Sequence, residues 1–126
     1  EEARNTDIPA RYGGEEFGII LTMTDEKGAK AFGERLRKKI ESTKILDING
    51  NPVRQVTSSL GICFYKSGST SDFIEMTDEA LYYCKDRGRN CSTLYSELEN
   101  LKKNFTIKKS NEAEVEQNDK ISISDT

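Results

Sequence analysis

The sequence predicts an α+β fold in which helices cover an antiparallel-rich sheet. Three observations indicate it: two pairs of strand-like runs that each surround a turn, two segments of helical periodicity, and a short strand-like run after the second of these segments. In chain order the elements are hairpin, helix, hairpin, helix and strand. Because a sheet and an amphipathic helix must each bury one face, this order is typical of an α/β sandwich.

The first hairpin is predicted from two runs of strand-forming residues, 8–12 and 17–22, on either side of the sequence GGEE. Glycine tolerates positive φ, so a Gly-Gly pair between two such runs favours a tight reversal of the chain. The second run is almost continuously apolar from Phe17 to Leu21. Such a run is typical of a strand that is covered on both faces, and we expect this strand to be buried.

Two segments are predicted to be helices. The first is expected over residues 24–42, with Thr24 or Asp25 as its N-cap. The second is expected from about residue 71 to 87, and Gly88 suits the left-handed conformation that ends a helix. Apolar residues recur at spacings of three and four in both segments, and they are Ala29, Phe32, Leu36 and Ile40 in the first and Phe73, Met76, Thr77, Ala80, Leu81 and Cys84 in the second.

The remaining strands are predicted around a second turn and near residue 92. Residues 44–48 and 53–65 surround the turn sequence NGNP, and residues 92–95 form a last short strand. Beyond them the composition changes to Glu, Lys, Asn, Ser and Asp. We therefore expect a folded domain over residues 1–96 and a polar tail over 97–126, with a short helix to about residue 104 and disorder from residue 106.

Composition excludes some classes of function. The net charge of −3 offers no broad attraction to a nucleic acid polymer. Three cysteines without metal-type spacing favour reduced thiols in the cytoplasm over a disulfide framework. No apolar run reaches the length of a membrane span. We expect a cytoplasmic domain, and the sequence leaves open whether segments outside this chain anchor the protein to a membrane.

The tip of the first hairpin carries the strongest chemical pattern. Glu15 and Glu16 are adjacent carboxylates, which repel each other unless a cation lies between or beside them. Carboxylate oxygens are hard ligands that suit magnesium, an ion that also binds phosphates. Gly13 and Gly14 let a bulky ligand approach the backbone closely. The pattern favours a site for magnesium-bound nucleotide phosphates, and the alternative is a solvated turn with incidental acids.

Three ordered sequence blocks resemble the GGDEF family. Residues 11–17, RYGGEEF, resemble its signature in the GGEEF variant. Residues 57–62, TSSLGI, resemble a strand of that family, and residues 80–90, ALYYCKDRGRN, resemble its closing helix and the basic segment after it. The resemblance covers roughly residues 4–95. It implies the nucleotidyl-cyclase-like palm fold of diguanylate cyclases, of which this chain would be the C-terminal half with the N-terminal half missing.

The resemblance also implies roles for the residues of the tip and of the closing helix. Glu15 would bind the catalytic metal, and Glu16 would bind metal or activate the attacking hydroxyl. Gly13 and Gly14 would pack against the GTP phosphates, and the triphosphate would be held by Lys85 and Arg89. The physical chemistry agrees, because two basic residues four apart near a helix end can point the same way. The alternative is that they only complement the helix dipole.

A second site is implied by Arg4 and Asp7, which form an RxxD pattern a few residues before the hairpin tip. In the family this pattern is an inhibitory site for cyclic di-GMP, and Arg35 matches a further arginine of that site. Arg4 can pair with a phosphate or a guanine edge, and Asp7 can accept hydrogen bonds from guanine. The alternative is an incidental four-residue pattern and a solvated Arg35.

The function implied by the resemblance is diguanylate cyclase activity. Two GTP molecules would be condensed into cyclic di-GMP and pyrophosphate with Mg²⁺ or Mn²⁺, in a homodimer controlled by an upstream sensory or regulatory domain and inhibited by its product. We expect this 126-residue chain to be inactive alone, because the family's other metal ligand and its guanine-binding residues lie in the missing half. The alternative function is a catalytically inactive receptor for cyclic di-GMP or GTP.

Overall fold

The computed structural model describes the backbone of residues 3–124 and the side chains of residues 3–115. The chain divides into two units, Glu1–Tyr95 and Ser96–Thr126. This division lies one residue before the boundary expected from the change in composition.

The N-terminal hairpin forms as predicted. Strand β1, Ile8–Gly13, pairs antiparallel with β2, Glu16–Ile20, and Ile8 lies opposite Ile20. The expectation that β2 is covered on both faces is wrong for the described residues, because Phe17 is 73% exposed and the strand has β1 as its one partner. A two-stranded ribbon has too little width to bury the apolar residues of both its faces.

Helix α1, Glu26–Ser42, follows the predicted pattern closely. The Asp25 carboxylate caps it by accepting from the Gly28 backbone nitrogen at 2.7 Å, which satisfies one of the donors left free at a helix start. Phe32 and Gly33 are its buried residues. A Cβ at Gly33 would lie 2.7 Å from Cδ1 of Ile62, so the glycine lets the helix approach the strand that contains Ile62.

The second half of this unit is a βαβ unit. Strand β3, Leu60–Ile62, leads into helix α2, Thr70–Asp86, and then into β4, Ser92–Leu94, which pairs with β3 in parallel. Strands β3 and β4 each contact both α1 and α2, and the buried residues of these elements include Phe32, Ala80, Cys84 and Leu94. The described strands are therefore one antiparallel and one parallel pair, where we expected a mainly antiparallel sheet.

The second predicted hairpin is much reduced. Its turn is present, because the Asp47 carboxylate accepts from the backbone nitrogens of Asn49 and Asn51. The flanking runs are joined only by an isolated bridge between Leu46 and Pro52. The long strand predicted over 53–65 is confirmed only over β3. A strand needs a neighbour for its backbone hydrogen bonds. Within this run, the structure provides such a neighbour for Leu60, Gly61 and Ile62, which pair with β4.

Helix α3 extends from Tyr95 to Ser124. We expected disorder from residue 106, but the chain is helical there as far as Ser124. Residues 125–126 lie outside the described part of the chain. Residues 97–126 contain neither glycine nor proline, the two residues that most disfavour a helix, so polarity alone did not prevent helix formation. Among the described residues, no helix is both long enough and apolar enough to cross a membrane.

Candidate functional site

The hairpin tip is an open turn. Gly14 has a φ of +42°, and the Arg11 guanidinium closes the turn by donating two hydrogen bonds to the Gly14 carbonyl, at 2.7 and 3.0 Å. A Cβ built on Gly13 or Gly14 would meet no atom within 4 Å. Glu15 is exposed at the tip. The turn therefore presents bare backbone and a carboxylate to solvent, where a ligand can approach both.

One ion pair connects this tip to helix α2. The Lys85 ammonium lies 3.4 Å from Oε1 of Glu16, and the two side chains are 31% and 44% exposed. Their sequence positions differ by 69. The fold thus brings together two residues that the sequence assigned to one site.

A cleft of about 440 Å³ opens beside this ion pair. Its carboxylates outnumber its single ammonium, and its lining residues are Glu16, Glu75, Asp78, Glu79, Leu81, Tyr82 and Lys85. Bare phosphates would be repelled by such a surface, whereas phosphates that arrive with a divalent cation would not. No set of three or more potential metal ligands is gathered among the described side chains.

Arg89 is placed differently from our expectation. Helix α2 ends at Asp86, so the helical spacing that would align Arg89 with Lys85 does not apply. Arg89 lies in the loop beyond, with a φ of +65°, and its backbone nitrogen donates to the Cys84 carbonyl at 3.0 Å. Its side chain is exposed and is not among the residues that line the cleft.

This loop is held by a network that the sequence did not reveal. The Arg37 guanidinium contacts the carboxylates of Glu34 and Glu41 and donates to Oδ1 of Asn90 at 3.0 Å. Nδ2 of Asn90 donates to Glu41 at 2.7 Å. Hydrogen bonds from Arg37 and from the Ser92 hydroxyl lower the pKa of Glu34 to about 2. The i, i+3 and i, i+4 spacings on α1 were the only visible signal.

The same loop is closed by a disulfide between Cys84 and Cys91, whose Cα atoms lie 5.8 Å apart. The expectation of three reduced thiols is therefore wrong for this pair, and Cys63 lies outside this disulfide. The physical reason is local. Gly88, Arg89 and Asn90 all have positive φ, which reverses the chain and returns Cys91 to the end of α2.

The residues of the predicted RxxD site also lie together. The buried Asp7 carboxylate accepts from the Arg4 backbone nitrogen at 2.8 Å and lies 3.3 Å from the Arg4 guanidinium. These interactions lower the pKa of Asp7, and the hydrogen bond from the Arg4 backbone nitrogen has the largest effect. Arg4 also donates to the Thr22 carbonyl and the Thr24 hydroxyl, both at 2.6 Å. The Arg35 guanidinium, on α1, lies 5.5 Å from the centre of the Phe32 ring.

Residues 1–91 match the family described as diguanylate cyclase, GGDEF domain. Diguanylate cyclase A of Treponema denticola is 42% identical over 93 residues, which are 72% of this chain and 24% of that protein. Diguanylate cyclase DosC of Escherichia coli is 36% identical over 91 residues, which are 71% of this chain and 20% of that protein. The chain thus corresponds to a quarter or less of these relatives.

The fold resembles solved GGDEF domains. The GGDEF domain of DgcB from Caulobacter crescentus, whose crystal structure is a complex with c-di-GMP, has a TM-score of 0.70 and 30% identity. The match covers 75% of this chain and 57% of that one. A structure of the coiled coil and GGDEF domain of DgcB, also with c-di-GMP, gives a TM-score of 0.69 at 28% identity, over 74% of this chain and 50% of that one.

Proposed function

Because the chain belongs to the GGDEF family and has part of that family's α+β fold, we propose that its parent protein is a diguanylate cyclase that condenses two GTP molecules into cyclic di-GMP and pyrophosphate. One observation carries the proposal. An ion pair between Lys85, at the end of α2, and Glu16, beside the glycine-containing turn, lies next to an acidic cleft. Carboxylates and a cation in one open cleft are the groups that phosphoryl transfer requires.

A divalent cation, Mg²⁺ or Mn²⁺, fits the residues present. Magnesium is commonly bound by one or two carboxylates together with the substrate's phosphates, and Glu15 and Glu16 supply two carboxylates at an exposed turn. The excess of acidic groups in the cleft favours the same ion. When bound, the cation would neutralise phosphate charge and lower the pKa of the attacking hydroxyl.

The side chains of the cleft bind and orient the nucleotide. Gly13 and Gly14 have open space where a Cβ would lie, so phosphate oxygens can reach the backbone there. When GTP binds, Lys85 leaves its partly exposed ion pair with Glu16 and pairs with the triphosphate. The ion pair with Glu16 is a weak surface contact, whereas the contact with the triphosphate is a stronger charge-assisted hydrogen bond. Glu16 is thereby released to bind metal or to accept the proton of the attacking hydroxyl.

The reaction requires two copies of the domain. Each copy holds one GTP, and the 3′-hydroxyl of one attacks the α-phosphorus of the other as pyrophosphate leaves. The second bond forms in the same way with the roles exchanged, which closes the ring. The active species is therefore a homodimer of the whole protein, and an upstream domain controls its formation. The isolated 126-residue chain is expected to be inactive.

Product inhibition is part of the proposal. The ionised Asp7 carboxylate is an acceptor suited to the N–H groups of guanine, and the Arg4 guanidinium beside it suits a phosphate. Arg35 would complete this site from α1. The c-di-GMP complexes of the related DgcB domain support a ligand of this kind.

A second candidate function is reception of cyclic di-GMP or GTP without catalysis. The observation that favours it is the contrast between the two sites. Arg4 and Asp7 are already in contact, whereas Arg89 lies outside the acidic cleft. The experiment that separates the two functions is product analysis of full-length protein incubated with GTP and Mg²⁺. Cyclic di-GMP formation supports the cyclase, and cyclic di-GMP binding without synthesis supports the receptor.

A further inference from the structure

The loop after α2 contains three successive residues in the left-handed region. The φ values are +104° at Gly88, +65° at Arg89 and +50° at Asn90. Glycine adopts this conformation freely and asparagine tolerates it, but arginine rarely does. Strained residues of this kind persist only where the surrounding structure holds them, and they cluster at ligand sites. The conformation of Arg89 therefore needs an external support.

Part of that support comes from the Cys84–Cys91 disulfide and from the hydrogen bond of the Arg89 backbone nitrogen to Cys84, and Asn90 adds three contacts. Its backbone nitrogen donates to the Ser59 hydroxyl at 3.1 Å, its Oδ1 accepts from Arg37 at 3.0 Å, and its Nδ2 donates to Glu41 at 2.7 Å. Both polar atoms of the side chain are thus used, and both partners lie on α1. One amide therefore fixes the loop to a helix that is distant in sequence.

The α1 side of this contact is itself held by ion pairs. The Arg37 side chain is 16% exposed, and its guanidinium is paired with Glu34 at 2.8 Å and with Glu41 at 3.2 Å. Glu34 in turn accepts from the Ser92 hydroxyl. Side chains of α1 therefore form hydrogen bonds with two residues that follow Arg89, which are Asn90 and Ser92.

We propose that Asn90, supported by Arg37 and Glu41, is a positioning residue that holds Arg89 in its left-handed conformation, from which its exposed guanidinium binds the triphosphate of bound GTP from outside the acidic cleft. The inference rests on the proposed function, because it takes Arg89 to be a phosphate ligand. Without the Asn90 amide the Cys84–Cys91 disulfide and the hydrogen bond from the Arg89 backbone nitrogen to Cys84 would still close the loop, but the loop would lose its side-chain contact with α1. Arg89 would then have to be ordered at the moment of binding. Nucleotide affinity would fall while the fold stayed intact.

A double-mutant cycle on full-length protein tests this. The probe is the α,β-methylene analogue of GTP with Mg²⁺, titrated by calorimetry into wild type, Arg89→Ala, Asn90→Ala and the double variant. We expect Asn90→Ala to weaken binding about tenfold, a coupling typical of neighbours in one network. In the Arg89→Ala background the same change should have no further effect.

Matched controls separate positioning from stability. Lys38→Ala removes a positive charge from the exposed side of α1 and should leave binding unchanged, whereas Arg37→Ala should weaken it. Arg37→Lys keeps the charge but loses the forked donors, so it should resemble Arg37→Ala. Thermal unfolding establishes that each variant is folded. If Asn90→Ala is not, Asn90→Gly tolerates positive φ and lacks the amide, and it should show the same loss of affinity.

Three results would overturn the inference. Wild-type affinity in folded Asn90→Ala or Asn90→Gly, with weak binding in Arg89→Ala, would refute positioning and leave the proposed function intact. An equal loss from the Asn90 change in both backgrounds would show that Asn90 does not act through Arg89. Unchanged affinity in Arg89→Ala, or no binding by wild type, would remove the phosphate-ligand role of Arg89 and with it this inference.

Discussion

The Lys85 ammonium lies 3.4 Å from a carboxylate oxygen of Glu16, and the pair joins the end of helix α2 to the tip of the N-terminal hairpin. Both side chains are partly exposed, so the contact contributes little to stability. A weakly held ion pair beside an open turn can exchange its partner for a charged ligand. Under the proposed function, the pair holds the lysine at the place where the triphosphate would bind.

The first prediction concerns this lysine. In full-length protein, Lys85→Met should raise the KM for GTP by about tenfold to a hundredfold, because a hydrogen bond to a charged group contributes roughly 1.5–3 kcal/mol. Steady-state kinetics of pyrophosphate release measure it. Lys27→Met, an exposed lysine of α1, is the control and should behave as wild type. An unchanged KM in Lys85→Met would contradict the assignment of this residue to phosphate.

The second prediction concerns the Arg4–Asp7 pair. Arg4→Ala should weaken inhibition by cyclic di-GMP by about tenfold or more, since a charge-assisted contact is lost and the buried Asp7 carboxylate is left without its guanidinium. Inhibition curves for wild type and variant measure it. Arg54→Ala, an exposed arginine elsewhere, should leave the curve in place. Superimposable curves for wild type and Arg4→Ala would exclude an inhibitory role for this pair.

The third prediction is a dependence of stability on pH. The folded-state pKa of Glu34 is depressed from 4.5 to about 2, so the ionised group stabilises the fold above pH 4.5 and this contribution is lost as the pH falls toward 2. Glu34→Gln should therefore lower the free energy of unfolding at neutral pH by about 1–2 kcal/mol, allowing for solvent screening.

Urea unfolding of wild type and Glu34→Gln at a series of pH values measures this contribution. The difference between the two proteins should shrink below pH 4.5. Glu112→Gln changes an exposed acid of α3 and should show no such difference. A gap between wild type and Glu34→Gln that is the same at pH 7 and pH 3 would contradict the ionised network around Arg37.

The fourth prediction concerns the cysteines. In protein purified without reductant, an alkylating reagent should modify Cys63 and leave the bonded pair Cys84 and Cys91 unmodified. After reduction under denaturing conditions all three should react. Peptide mass spectrometry identifies the modified positions. Modification of Cys91 in denatured, unreduced protein would show that the pair carries free thiols, as the cysteine count alone suggested.

The sequence predicted the elements whose signals are local. The Gly13-Gly14 turn, the Asp25 cap and the apolar spacing of α1 and α2 depend on neighbours within a few residues, and the structure has all of them. The family resemblance then placed Glu16 and Lys85 in one site, and they are in contact. Local pattern and ordered motifs were sufficient for this much.

The features that were mispredicted depend on partners distant in sequence. Residues 54–59 have the composition of a strand but form no strand pairing among the described residues. Arg89 was aligned with Lys85 by helical spacing, yet α2 ends at Asp86, three residues before Arg89. The contacts of Asn90 with α1 cross 49 and 53 positions of sequence, and no single-sequence pattern indicates them.

The measurement that tests the central claim most directly is synthesis of cyclic di-GMP from GTP by full-length protein with Mg²⁺, compared between wild type, Glu15→Ala and Glu112→Ala. Removing the carboxylate that we propose binds the metal should reduce the rate by about a hundredfold or more, as losses of transition-state charge stabilisation commonly do. The exposed acid of α3 is a matched control and should not affect the rate. We predict that wild type and Glu112→Ala make cyclic di-GMP at similar rates and that Glu15→Ala makes it about a hundredfold more slowly or not at all. Synthesis at the wild-type rate by Glu15→Ala would contradict the account of the hairpin tip, and its absence in wild type would contradict the cyclase itself.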